Sequence, residues 1–240
     1  MSRDLYPTMT AATATWRHLE HISNNLANVN TTGFKERRVS FESVLASAQN
    51  PGLLSEGYVK ISDGAIDLQS GSLIQDNVPT HFAIEGNGFF VLENAEGEQV
   101  LTRAGLFQID NYGYLVNAMG EKVVTTTGPI QLDDFQRDNF TITPDGRLLD
   151  DRGGEFAQLL VMDGDNLEPL LGTRWKGENF REVEPYTYTV RQGMLENSNV
   201  NPFRNMIEMV ETTRHFEMYQ KAMHSSREMD SSLNAMASKI

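Results

Sequence analysis

Cysteine is absent from the 240 residues. That removes disulfides, thiolate nucleophiles and cysteine-based zinc sites together. No apolar run approaches the ~18 residues that a membrane-spanning helix needs, so direct membrane insertion is not expected. The first residues, Met1 to Pro7, lack a basic stretch followed by an apolar one, and a cleaved secretory leader is not expected either. Positive charge is scarce: 20 Lys and Arg face 33 Asp and Glu, a formal net charge of −13. A general nucleic-acid binder needs a basic face to neutralise phosphates, and docking on anionic lipid needs one too; both are excluded as expectations. What remains is ordinary for a globular chain, with 39% hydrophobic and 22% charged residues and enough length for one or two buried cores.

Charge and glycine are unevenly placed. Residues 1–50 carry a net charge of +1 and residues 195–240 a net charge of −1, so the whole excess of acid lies in 51–194. All but one of the 19 glycines lie there too, Gly33 being the exception. Near-neutral, glycine-poor ends predict helix, and the acidic, glycine-rich centre predicts β-structure. The class expected is α+β: terminal α-helices pairing in a coiled-coil-like domain and a central antiparallel β-domain. The divisions expected are 1–34 for the N-terminal helix, 35–79 for an extended connector with some strand, 80–194 for the β-domain and 195–240 for the C-terminal helix.

At the N-terminal end Leu5, Met9, Ala12, Trp16, Leu19, Ser23, Leu26 and Asn30 recur at alternating spacings of four and three. That is a heptad seam, apolar except at Ser23 and Asn30, and Ile22 and Val29 widen it. Asp4 can cap its start, Pro7 falls in the first turn, and Gly33 is a plausible stop. Asn24, Asn25, Asn28 and Asn30 weaken the helix, since asparagine forms helix poorly, and such an amide-rich surface can bond to neighbouring chains. At the other end Asn201-Pro202 reads as an N-cap followed by proline at the first helical position. No proline or glycine follows it. Phe203, Met206, Ile207 and Val210 form one stripe there; Met209, Phe216 and Met223 form another, with Tyr219, Leu233 and Ile240 beside it. Six of the 11 methionines lie in this segment. Methionine fills irregular interfaces well, so a methionine-rich stripe fits plain core or packing between molecules.

The centre alternates short apolar runs with turns. Phe82-Ala83-Ile84, Phe89 to Leu92, Val100-Leu101, Tyr114 to Val116, Lys122 to Val124, Phe156 to Met162 and Tyr186 to Val190 read as strands. Glu96-Gly97, Tyr112-Gly113, Met119-Gly120, Pro144-Asp145-Gly146, Arg152-Gly153-Gly154 and Asp163-Gly164 read as breaks between them.

Chemistry is hard to find. Gly86-Asn87-Gly88 is half of a dinucleotide fingerprint, but no third glycine follows and a tight turn explains it better. His18 and His21 supply at most two ligands on a packed helix, one short of a metal site. Asp163-Gly164-Asp165-Asn166 lacks the distal Glu of a calcium loop. The adjacent acids Asp133-Asp134 and Asp150-Asp151 diverge in direction and suit acidic turns better than a glycosidase pair. No catalytic residue, metal site or cofactor is expected.

Three segments carry a resemblance. Asn24-Asn25-Leu26-Ala27-Asn28-Val29-Asn30-Thr31-Thr32-Gly33-Phe34-Lys35 resembles the N-terminal signature of bacterial flagellar rod and hook proteins. Gly193-Met194-Leu195-Glu196-Asn197-Ser198-Asn199-Val200-Asn201 resembles their C-terminal signature. Phe82 to Phe90, with Gly86, Gly88, Phe89 and Phe90, and then Thr102-Arg103-Ala104-Gly105-Leu106-Phe107 resemble the start of their central β-domain. Asn201-Pro202 followed by Arg214 to Met218 is similar to a proximal-rod member, whereas Thr31 to Lys35 is closer to a distal-rod relative.

The resemblance implies a structural, non-enzymatic subunit of the basal-body rod. Its terminal helices would pack with those of neighbours into a torque-transmitting tube, with the β-domain outside. The interface expected is Leu5, Met9, Ala12, Trp16, Leu19, Ile22, Leu26, Val29, Phe203, Met206, Ile207, Val210, Phe216, Tyr219, Met223, Leu233 and Ile240. Partners implied are other rod and basal-body proteins, copies of the chain itself, and the flagellar export apparatus during secretion to the periplasm. The competing readings are a distal-rod or hook-type subunit, an acidic β-domain enzyme acting on carbohydrate, and an adaptor whose helices bind one partner in a finite complex.

Overall fold

The computed structural model describes residues 5–45, 57–133, 136 and 139–237. Of the residues named above, Asp4, Asp134 and Ile240 lie outside them, as do the side chains of Leu5, Pro7 and Leu233. Helix α1 is Leu5–Ala27, and the strands that follow are β1 Arg37–Leu45, β2 Gly57–Ile66, β3 Leu73–Gln75, β4 Phe82–Gly86 and β5 Phe89–Glu93. Next come β6 Gln99–Thr102, β7 Gln108–Ile109, β8 Leu115–Val116, β9 Lys122–Thr125, β10 Gly128–Pro129 and β11 Phe140–Ile142. The last strands are β12 Arg147–Asp150, β13 Glu155–Gln158, β14 Val161–Pro169, β15 Arg174–Glu182, β16 Tyr188–Gln192 and β17 Met194–Glu196, before helix α2, Pro202–Ala237. Terminal helices around central antiparallel sheets make the chain α+β. No helix among the described residues is long and apolar enough to cross a membrane.

The residues group into two compact units. One comprises Met1–Ala27, Arg37–Asp67 and Asn201–Ile240; the other comprises Asn28–Glu36 and Leu68–Val200.

In the helical unit α1 packs against α2 and against the antiparallel hairpin of β1 and β2. Helix α1 ends at Ala27, six residues before the glycine expected to stop it. Residues 28–33 are turns, so Val29 and Asn30 are not on the seam. The physical reason is the run Asn28 to Thr32, which is poor in helix formers. Asn25 is buried, and its amide serves the interior rather than a neighbouring chain. Its Nδ2 donates to the Arg37 carbonyl at 2.9 Å, and its Oδ1 accepts the Arg37 N–H at 3.0 Å. The side chain thus behaves like one more rung of a ladder at the start of β1. Asn25→Ala removes both bonds to Arg37, and we expect it to lower unfolding stability by about 1–3 kcal/mol in a denaturant titration. Helix α2 opens as its sequence predicts: Asn201 Oδ1 accepts the Arg204 N–H at 3.1 Å, with Pro202 at the first helical position.

In the β-unit the largest sheet is antiparallel and partly closed on itself. Strand β5 pairs with β6, β6 with β15, β15 with β14, and β14 returns to β5 through Val161–Phe90 and Met162–Phe89. Strands β9, β8 and β7 extend it beyond β5. Phe82 to Ile84 and Phe89 to Leu92 are buried residue after residue, so these strands read as continuous apolar runs rather than alternations. The side chains of Phe82, Ile84, Phe90 and Leu92 meet Phe107, Leu115, Val123, Leu148 and Val190 in one core. Phe107 takes Phe90 edge-on at 5.4 Å between ring centres and Phe82 tilted at 6.0 Å.

Two sequence expectations fail here. Asp163-Gly164 is not a break but lies inside β14. A Cβ on Gly164 would sit 3.2 Å from the Phe180 ring, so the missing side chain gives that ring room across the hairpin. Strand β15 was not anticipated at all, because Lys176, Glu178, Arg181 and Glu182 give it no apolar pattern.

Candidate functional site

Phe34, Lys35 and Glu36 are all buried in the β-unit, an unusual place for two adjacent charged residues. Segment 28–36 reaches that interior by crossing the segment that precedes α2. The Gly33 N–H donates to the Glu196 carbonyl at 2.7 Å, and the Asn199 N–H to the Phe34 carbonyl at 3.4 Å. Asn199 Oδ1 accepts the Glu36 N–H at 2.7 Å, and its Nδ2 donates to the Gln69 carbonyl at 3.0 Å. Gly33 has a φ of 69°, and a Cβ there would lie 2.3 Å from the Ala104 nitrogen, so the crossing admits no side chain.

Glu196 is the centre of this junction. Its carboxylate is fully buried and accepts three donors. Lys35 Nζ reaches Oε1 at 2.6 Å, the Gly71 N–H reaches the same oxygen at 2.9 Å, and Arg103 Nη1 reaches Oε2 at 3.4 Å. The side chains of Lys35 and Arg103 are only 1% and 4% exposed, so both cations meet the carboxylate away from solvent. Backbone oxygens also receive them: Lys35 Nζ donates to the Gln69 carbonyl at 2.8 Å, and Arg103 donates to the Ile84 and Gly86 carbonyls at 3.1 and 2.7 Å. Arg103 also lies over the Phe89 ring, 5.2 Å from its centre. Burial pushes the Arg103 guanidinium below its ordinary value, while Glu196 and Asp163 pull it back up; it remains a cation at neutral pH. Arg103 therefore fixes Gly86-Asn87-Gly88, which is the tight turn between β4 and β5 that the sequence predicts. Close by, a Cβ on Gly105 would come within 1.6 Å of the Phe82 carbonyl, which explains the glycine in Arg103-Ala104-Gly105.

The signature residues thus divide by role. Gly33, Phe34, Arg103, Gly105, Glu196, Asn199 and Val200 build or border this junction, and Asn25 pins β1. Asn24 and Ala27 are exposed at the end of α1, and Leu26, Asn28 and Leu195 are half-buried. The meeting of Lys35, Gly71 and Arg103 at Glu196 has no signal in the sequence, since nothing there links residues so far apart.

The helical unit holds the second group of expected residues. Counting ~100° per residue, α2 has two opposed faces. One carries Asn205, Met209, Thr212, Phe216, Tyr219, Met223, Ser226 and Asp230, all buried or half-buried, at alternating spacings of four and three. Contacts with α1 lie here: the Trp16 and Phe216 rings stand 5.6 Å apart, and His18 Nε2 meets Glu208 Oε1 at 3.0 Å. The opposite face carries Phe203, Met206, Ile207, Val210, Met218 and Met229, all exposed, Phe203 at 78% and Ile207 at 63%. Phe216, Tyr219 and Met223 therefore turn toward α1, and Phe203, Met206, Ile207 and Val210 turn away from it. On α1, Ala12 and Ile22 are buried, Leu19 and Leu26 are half-buried, and Met9 and Trp16 are about half exposed.

Three family profiles match the chain in sequence order. "Flagella basal body rod protein" covers residues 5–35, "Flagellar hook protein FlgE/F/G D1 domain" covers 83–149, and "Flagellar basal body rod FlgEFG protein C-terminal" covers 191–236. The flagellar basal-body rod protein FlgF of Mesorhizobium japonicum is 30% identical over 256 residues, spanning all of both chains. The flagellar basal-body rod protein FlgG of Borreliella burgdorferi is 28% identical, spanning 95% of this chain and 96% of its own. The flagellar hook protein FlgE of Treponema pallidum is 36% identical over 129 residues, which is 48% of this chain and 27% of its own.

Proposed function

The chain belongs to the bacterial family of flagellar basal-body rod and hook proteins, and on that premise we propose that it is a structural subunit of the basal-body rod that assembles through its terminal helices. The observation that carries the assembly step is the exposed apolar face of α2. Phe203, Met206, Ile207 and Val210 stand on the side away from α1, in a pattern that single polypeptides seldom leave in water. Neighbouring copies, or other rod proteins, cover it in this reading. The face toward α1 has the spacing of a coiled coil, and we assign α1 and α2 to such a pairing within each subunit. Repeated head-to-tail contacts that do not close into a ring give a helical tube, which transmits torque along its axis. The β-unit, which carries the acidic surface, lies outside the tube in this arrangement. The rod reading places the protein in the periplasm, after passage through the flagellar export apparatus. It is a structural role rather than an enzymatic one.

A distal-rod position is the second reading, favoured by the similarity of Thr31 to Lys35 to distal-rod members. The FlgF relative and the Asn201-Pro202 signature favour the proximal rod.

The assembly reading is tested by deleting residues 229–240. None of the described residues of that segment belongs to the β-unit core, which should keep its melting temperature. Basal bodies isolated from cells should lack the truncated protein. Normal incorporation would remove α2 from the assembly contacts.

A further inference from the structure

The groups that meet Glu196 come from three distant stretches of the chain. Lys35 lies 161 positions before it, Gly71 lies 125 before it and Arg103 lies 93 before it. Contacts so far apart in sequence form only when the structure between them is in place, because loop closure must be met first. They are also mutually dependent. With Lys35 withdrawn, Glu196 keeps only the long Arg103 bond and one N–H; with Glu196 withdrawn, Lys35 and Arg103 are buried cations without their carboxylate. The backbone bonds of the junction share this dependence, since Gly33 donates to the carbonyl of Glu196 itself and Asn199 holds both Glu36 and Gln69.

We propose that the Lys35–Glu196–Arg103 cluster is a conformational latch that orders segments 28–36 and 194–200 together, in one cooperative step, on a β-unit that is already folded. One segment leads out of α1 and the other leads into α2. The stretch that leaves α1 and the stretch that enters α2 therefore become ordered together or not at all. The latch is argued from the β-unit alone and holds whatever the helices bind.

The experiment is residue-resolved hydrogen exchange on the full chain, with denaturant added below the unfolding transition. In the unmodified protein the amides of Gly33, Glu36, Gly71 and Asn199 should open together, with one common dependence on denaturant. Different dependences for the 33–36 amides and the Asn199 amide would overturn the latch. Lys35→Met should then speed exchange in both segments by about tenfold or more, although the substitution lies in only one. Lys35→Met combined with Glu196→Leu should be hardly worse than Glu196→Leu alone, because the first loss has already opened the cluster. Faster exchange confined to 28–36, or effects of the two substitutions that simply multiply, would overturn it too.

Discussion

Replacing Glu196 by leucine should take several kcal/mol from the stability of the latched fold. The leucine side chain fits the volume roughly but leaves Lys35 and Arg103, 1% and 4% exposed, without the carboxylate between them, and strands the Gly71 N–H. Breaking a buried pair from one side typically costs about 3–5 kcal/mol, because the charge left behind cannot reach water. Total stabilities are on the order of 5–15 kcal/mol, so the remainder is thin. For a unit of this size each kcal/mol lowers the melting temperature by about 2–4 °C, which gives a fall of about 6–20 °C. Glu196→Gln should fall less, since its carbonyl oxygen can still accept from Lys35 or Gly71. Thermal unfolding followed by near-ultraviolet circular dichroism reads the two variants directly. A leucine variant that melts with the unmodified protein would show that the cluster is not what holds the junction.

This cluster was illegible in the sequence, although every residue in it could be quoted. Lys35 and Glu196 lie in two of the recognised signatures, yet their types and spacing say only that each is charged. Their meeting depends on the path of segment 28–36 beneath Ala104, which Gly33 permits and no periodicity announces. The helices were far more legible, because their signals are local: a four-three spacing at one end, and at the other a capped stretch without glycine or proline. Even so, the end of α1 was misjudged, since the seam runs past Ala27 into asparagines and threonines that do not sustain a helix. Strands with apolar runs, such as β4 and β5, could be read directly, whereas β15 is built from residues suited to an exposed hairpin and could not. On α2 the sequence shows apolar residues on two sides without saying which faces inward. The inward face is in part the more polar one, with Asn205, Thr212, Ser226 and Asp230 among its residues.

That inversion makes the outer face of α2 the sharpest place to test assembly. Phe203→Asp together with Ile207→Asp should leave the molecule intact, because both side chains are exposed. Polar groups on that face even suit an isolated helix in water. Helical circular dichroism and the melting temperature should be unchanged within about 1 kcal/mol. Incorporation into the rod should collapse. Two carboxylates pressed into an apolar contact must lose their water without gaining partners, at several kcal/mol each, so binding at each contact falls by about a hundredfold or more. Cells carrying the variant should not swim. Phe216→Asp supplies the contrast. That residue packs on Trp16, so its carboxylate disturbs the pairing of α1 with α2 and should reduce helicity before assembly is even attempted. If the Phe203 and Ile207 variant builds rods as well as the unmodified chain, the outer face is not where subunits meet. The next apolar surface to test would then be the half-exposed Met9 and Trp16 of α1.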